Sequence, residues 1–305
     1  MLTQTIKSFC LLLLLCPTFT LLLRAQPDFD LYQFKETRDL INLVREAAAL
    51  FSEKGDEAFL EFGENGSRWF TGTWYIFIYD LDGTCIFHPV EKGFTGQNLI
   101  DLKDMNGKPI VQFIVDIASR RDNPYGWIHY LWAEPGELFP AWKHAYIMGV
   151  KGPDGKMYAM GSGTYNIRTE TEWVVTLVDS AAGLIHALGK EAYQQVLDKA
   201  SIFYFYNTYL FVLSMEGNML ADPAFPTNEG RNVTDFKDYA DHLIVREILE
   251  RFKSQDVVYI TYLWPAPGQT NPSKKLLYAR KVMSGNEQVV VGSSVYLMEP
   301  IWKKF

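Results

Sequence analysis

Two lysines are the groups in this chain best placed to do chemistry. Lys143 follows the strand-like run Tyr130-Leu131-Trp132, and Lys275 follows Tyr262-Leu263-Trp264 at the same distance. A lysine turned inward can neutralise a carboxylate, whereas one turned outward is ordinary solvated surface. Residues two apart on a strand share a face, so Ile128, Tyr130 and Trp132 go together, as do Ile260, Tyr262 and Trp264. A face that recurs in both places must be buried, against a helix or around a ligand, and the polar tips of Tyr and Trp then need partners. His88 closes another strand-like run, just before Pro89. It could donate to an anion, read pH near its ordinary value of about 6.5, or simply bond nearby backbone.

Other chemistries find no support. Asp80-Leu81-Asp82 lacks the further ligands and distal Glu of a calcium loop and reads as a turn. Gly161-Ser162-Gly163 is followed by no phosphate-binding lysine. No His-x-x-x-His, Cys-x-x-Cys or Gly-x-Ser-x-Gly element occurs. The expectation is therefore no catalytic residue, no metal and no cofactor: a binding protein rather than an enzyme. The net charge of -7 and the lack of a basic run argue against nucleic acid.

Residues 1–7 are short and basic, residues 10–23 are almost wholly apolar, and Arg24-Ala25-Gln26-Pro27 breaks the run. That is the plan of a secretory leader, too short for a comfortable membrane span. Cleavage after Ala25 is expected, leaving the mature chain periplasmic or secreted; an uncut leader would tether it to the membrane. Leu13-Leu14-Leu15-Cys16 is a weak lipoprotein signal. Cys85 is then the only mature cysteine, so no internal disulfide forms.

The chain repeats itself. Shifted by 134 residues, Tyr75 falls on Tyr209, Phe77 on Phe211, Gly83 on Gly217, His88 on Asp222 and Pro89 on Pro223. Asp101-Leu102-Lys103-Asp104 likewise falls on Asp235-Phe236-Lys237-Asp238. A shift of 132 brings Lys143 onto Lys275 and Tyr146 onto Tyr278, and a shift of 131 brings Tyr165 onto Tyr296. In each copy a helix comes first: Leu40, Leu43, Val44, Ala47 and Leu50 have helical spacing, with a counterpart over about residues 172–200. A hairpin follows, with strands at 73–79 and 84–88 about the turn Asp80–Gly83. A short helix at 108–120 and strands at 126–132, 141–150 and 157–165 complete the copy. A helix leading into a five-stranded antiparallel sheet, with a second helix inserted, is an α+β layout. The expected units are residues 26–168 and 169–305.

The hairpin ending in Asp-x-Asp-Gly and then His88-Pro89 resembles the Cache_2 type of sensor domain, as does Gly96-x-Asn98-Leu99. Gly126-Trp127-x-x-Tyr130-x-Trp132, Pro140-x-x-Lys143-x-x-Tyr146 and Gly161-x-Gly163-x-Tyr165 extend the likeness across residues 36–167. The second copy matches less well, with Tyr259 in place of Trp127 and Asp222 in place of the histidine. The resemblance implies two tandem PAS-like Cache domains whose sheets hold a small organic ligand, often a short carboxylate. It also implies extracytoplasmic sensing, usually ahead of a membrane helix and a signalling module, so a membrane receptor or kinase is the expected partner. This chain stops at Phe305, after the second copy, and is expected to lack an output module of its own.

The working site is expected in the first copy: Lys143 as carboxylate partner, with Tyr75, His88, Trp127, Tyr130, Trp132 and Tyr146 around it. The second set is Tyr209, Asp222, Tyr262, Trp264, Lys275 and Tyr278, where Asp222 would oppose an anion. The alternative is an interaction module that packs on a membrane receptor and whose pockets are vestigial.

Overall fold

A computed structural model of the chain describes residues 29–265 and 269–297; the expected leader and the Cys16 signal lie outside them. The first helix, α1 (Lys35–Lys54), buries Leu40, Ile41, Val44, Ala47, Ala48 and Phe51 along one stripe. It stops at Gly55, whose φ of 59° suits glycine far better than an L side chain. A short helix α2 (Ala58–Gly63) follows. In the second copy α4 (Thr171–Leu188) stops in the same way at Gly189, φ 63°, before α5 (Ala192–Leu197). The single helix expected over 172–200 is thus two helices, because that glycine breaks it.

The first sheet is antiparallel throughout. Its strands are β1 (Phe70–Thr71), β2 (Trp74–Asp80), β3 (Cys85–Phe87), β4 (Tyr125–Ala133), β5 (Pro140–Lys151) and β6 (Met157–Tyr165). The order is β1-β2-β6-β5-β4, with β3 also paired to β2. The second sheet uses β7 (Phe211–Ser214), β8 (Met219–Ala221), β9 (Val257–Pro265), β10 (Pro272–Ser284) and β11 (Glu287–Tyr296), in the order β8-β7-β11-β10-β9. The two orders are the same once β1, a two-residue addition to the first sheet, is set aside. Asp80 and Asp82 accept backbone N–H groups of their own turn, from Asp82 and Thr84, as a turn reading requires.

Each sheet is covered on both faces. Helix α1 lies on one side of the first sheet with Ile76, Ile78, Tyr146 and Met160. Helix α3 (Ile110–Ala118) covers the other side with Tyr75, Phe77, Tyr130, Ala145 and Ile147. In the second sheet α4 packs with Val212, Tyr278, Val289 and Val291, and α6 (Ile244–Arg251) with Leu213, Ile260, Leu277 and Val290. Successive residues of a strand therefore serve different cores, as the pleat demands.

The copies meet at polar and aromatic contacts. The buried Glu170 carboxylate accepts the N–H groups of Gln33 and Phe34 at the start of α1 (2.8 and 3.0 Å). Lys108, 1% exposed, donates to the carbonyls of His129 (2.7 Å) and Tyr204 (2.9 Å) and so ties the copies together. His129 and His144 face each other with Nδ1 atoms 2.9 Å apart, and Trp173 and Phe205 of the second copy stack on them.

Candidate functional site

In each copy the space between the sheet and the helix on this face, α3 in the first and α6 in the second, holds the lysine. The register of the three long strands sets its neighbours. Lys143 on β5 lies beside Tyr130 on β4 and Tyr165 on β6. Lys275 on β10 lies beside Tyr262 on β9 and Tyr296 on β11. Tyr165 and Tyr296 are fixed by their hydroxyls, which reach across the lysine strand to a carbonyl at the end of the edge strand beyond it: Tyr165 donates to Ala133 on β4 and Tyr296 to Pro265 on β9, both 2.8 Å.

Both lysines point inward. Lys143 is 1% exposed, donates from Nζ to the Tyr75 hydroxyl (2.6 Å) and lies 4.0 Å from that ring's centre. Lys275 is 3% exposed and lies 4.6 Å from the Tyr296 ring centre, with Tyr209 and Tyr262 farther off. Among the described residues neither ammonium forms an ion pair with a carboxylate. Burial pulls Lys143 down to about 7, opposed in part by Glu91, and pulls Lys275 down to about 8. Aromatic faces favour the charged form only weakly in comparison with water. A carboxylate delivered to Nζ supplies what burial removed.

His88 lies just beyond β3 and is buried. Its Nδ1 accepts the N–H of Glu91 (2.8 Å), and its ring packs on Tyr75, Phe77 and Phe94. Burial, and then the charge of Lys143, push its pKa down to about 3, so it is neutral at ordinary pH. Asp222 does the same backbone work in the second copy, its Oδ1 accepting the N–H groups of Ala224 and Phe225 (both 3.0 Å). Burial raises the Asp222 pKa. The His-to-Asp exchange therefore keeps one acceptor for the loop and changes the charge beside the cavity.

Tyr75, His88, Tyr130, Trp132 and Lys143 line one cavity, together with Phe77, Tyr79, Phe94, Ile110 and Ile114. Trp127 and Tyr146 do not join them. Tyr146 stands three residues from Lys143 and Trp127 three from Tyr130, and odd spacings on a strand lead to opposite faces. Tyr146 packs on the α1 side. Trp127 donates from Nε1 to Tyr32 (3.2 Å) and packs on Trp173. The same parity removes Tyr278, whose hydroxyl donates to Asp179 on α4 (2.8 Å). Tyr209, Asp222, Tyr262, Trp264 and Lys275 do line the second cavity.

The two cavities differ in size. The first encloses ≈ 20 Å³, room for about one water molecule. The second encloses ≈ 240 Å³. Tyr79 and Phe94, which fill the first, are matched in the second by Leu213 and Asn228. Leu213 faces Met219 across its hairpin as Tyr79 faces Cys85, and Asn228 ends a 3-10 turn as Phe94 does. Neither tyrosine at the row ends, Tyr165 or Tyr296, was among the expected site residues, although Tyr165 closes a family motif and the two coincide at the 131-residue shift. The pair His129 and His144 was also missed; strand parity opposite Tyr130 and Lys143 was its available signal.

Among the described residues no group of three or more His, Cys, Asp or Glu is placed to hold a metal ion, and no helix is long and apolar enough to cross a membrane. A profile of the Cache domain family (dCache_2) matches residues 65–299. The methyl-accepting chemotaxis protein McpP of Pseudomonas putida is 31% identical over 107 residues, 35% of this chain and 19% of that protein. The sensor histidine kinase MctS of Rhizobium johnstonii is 28% identical over 107 residues, 35% of this chain and 20% of the kinase. The matched part thus spans about a fifth of each of these relatives. A solved Cache chemosensory domain, described for carboxylic acid recognition, is 22% identical over 42% of this chain and 93% of its own, with a TM-score of 0.36.

Proposed function

The chain belongs to the Cache domain family, and we propose that it is an exported binding protein for small organic carboxylates, with one lysine-anchored site in each of two units, residues 26–168 and 169–305. The observation that carries this reading is the repeated row of tyrosine, buried lysine and tyrosine, with no acidic partner for either lysine among the described residues. In the first unit Tyr75, His88, Tyr130 and Trp132 surround Lys143; the narrow cavity there suits the shortest acids and needs the loop carrying His88 and Phe94 to give way. The names of the matched relatives, a chemotaxis protein and a sensor kinase, support a receptor or kinase as the partner that reads the bound state.

The test is a melting series on protein recovered from outside the cytoplasm, with its N-terminus sequenced. The chain should begin near Gln26 and melt higher with acetate, propionate, pyruvate or lactate. A ligand at 100-fold over its Kd adds about 2.7 kcal/mol. Matched alcohols should do nothing, and Lys143→Met with Lys275→Met together should abolish the shift. An intact cytoplasmic Met1, or a shift that survives the double replacement, overturns the proposal.

A further inference from the structure

We infer that the second cavity selects monocarboxylates with a compact apolar body, of the arylacetic type, which the first cavity is too narrow to admit. This rests on the lysine-anchor reading and adds what must follow the carboxylate. Size is the first ground. A cavity of about 150 Å³ lined by Leu, Ile and Phe takes up benzene, so ≈ 240 Å³ accommodates a ring and a short arm ending in a carboxylate. The ≈ 20 Å³ of the first cavity does not.

The distribution of polarity is the second ground. Lys275 and Tyr262 lie on one row of the sheet, and the Tyr262 hydroxyl donates to Ser294 Oγ (3.0 Å). The next inward residue of the same strand is Leu277, and Ile244, Val245 and Ile248 of α6 add further apolar wall. A ligand with charge at one end and hydrocarbon at the other matches that order. At the rim stand Phe225 and Phe236, 45% and 42% exposed, aromatic groups that a ring can pass and pack against. Asp222, the acidic group of the cavity wall, has its Oδ1 engaged by two backbone N–H groups of the rim loop.

The third ground is that the difference between the copies falls where a ligand's body would lie. The anchor row is the same in both, whereas Tyr79 and Phe94 give way to Leu213 and Asn228. The exchange removes two aromatic rings from the volume between the sheet and the helix. Cys85→Met219 and Ala145→Leu277 add smaller apolar groups to the same space.

Calorimetry on the whole mature chain tests this with phenylacetate, acetate, 2-phenylethanol and phenethylamine. Phenylacetate should bind, weaken about 10- to 100-fold in Lys275→Met, and change by less than about threefold in Lys143→Met. Methionine keeps the side-chain length and removes a buried charge, so the fold should tolerate it. A second variant, Leu213→Tyr with Asn228→Phe, installs what the first copy already accommodates; it should abolish phenylacetate binding and leave acetate binding to Lys143 intact. Equal affinity for 2-phenylethanol overturns the inference, since no anchor would then be in use. Preference for phenethylamine overturns it too, with Asp222 reading a cation. If acetate binds through Lys275 and phenylacetate does not, the inference falls and the lysine-anchor reading stands. If no carboxylate binds at either lysine, both fall.

Discussion

The two halves of the chain hold the same lysine between the same pair of tyrosines, yet one encloses ≈ 20 Å³ and the other ≈ 240 Å³. What is common lies on the three long strands, where ladder hydrogen bonds fix which residues are neighbours. The aromatic rings that differ lie on the hairpin and the loop above it, at positions 79, 94, 213 and 228, and one long-strand position differs as well, Ala145 against Leu277. On the proposed reading, charge recognition is built into strand register, and the size limit is set by a few side chains that can change without disturbing it. The first half reads as a tight fit around a charge, the second as a chamber attached to one.

The strongest way to break this comparison is to exchange the wall residues in the direction opposite to the filling variant. Tyr79→Leu with Phe94→Asn should open the first cavity and create a second phenylacetate site. Affinity at that site should rise about 100-fold or more from undetectable, and calorimetric stoichiometry should move from one to two. The variant should be less stable before ligand is added, by about 2–4 kcal/mol, because a buried aromatic is cut back. Unchanged stoichiometry, with the fold intact, would show that size is not what separates the copies.

A smaller effect separates the copies by pH. Burial holds Lys143 at about 7 and Lys275 at about 8, below the ordinary lysine value, because it disfavours the charged form. A carboxylate binds the charged form. Affinity should therefore fall about tenfold per pH unit above the free lysine's pKa and stay level below it. The titratable groups near Lys143 are Glu91, His88, Tyr75, Tyr130 and Tyr165; His88 stays neutral through this range, and burial, which raises the pKa of all three tyrosines, keeps them protonated. Between pH 7 and 8, acetate binding at the first site should weaken several-fold, while phenylacetate binding at the second weakens only about twofold. Equal pH profiles would remove the lysines from the role given to them.

Much of this was legible in the residues because it is carried by periodic spacing. The duplicated helix, hairpin and three-strand pattern follow from spacings of 3.6 and 2 and from the ordered repeat, and the strand ends came out within a residue or two. The residues left open whether Lys143 and Lys275 turn inward; pairing beside Tyr130 and Tyr262, which only the structure gives, decides it. Trp127, Tyr146 and Tyr278 were misplaced because a motif groups residues by sequence, and at a spacing of three a strand sends them to the other face. Cavity size was not legible at all. It depends on how Tyr79 and Phe94 fill space beneath α3, and Leu213 and Asn228 are equally ordinary residues in a sequence. Asp222 looked like a repulsive charge, but its partners are backbone N–H groups that no side-chain pattern reveals.

The smallest expected effect concerns the reverse face of the two sheets, where Tyr146 and Tyr278 occupy matching positions. Tyr146 is 1% exposed, and among the described residues its hydroxyl has no hydrogen-bond partner. Tyr278 donates to Asp179, which also receives Arg280 (2.9 Å). An unpaired buried hydroxyl costs free energy, whereas one bonded to a carboxylate contributes to stability. Tyr146→Phe should accordingly leave stability unchanged or raise it by up to about 1 kcal/mol. Tyr278→Phe should lower it by about 1 kcal/mol, a modest figure because Asp179 is partly open to water. Neither replacement should alter acetate or phenylacetate affinity by more than about twofold. Denaturant melts and calorimetry on the two variants decide the matter. A loss of binding in Tyr146→Phe would place that tyrosine back in the site and undo the division of the sheet into a ligand face and a helix face.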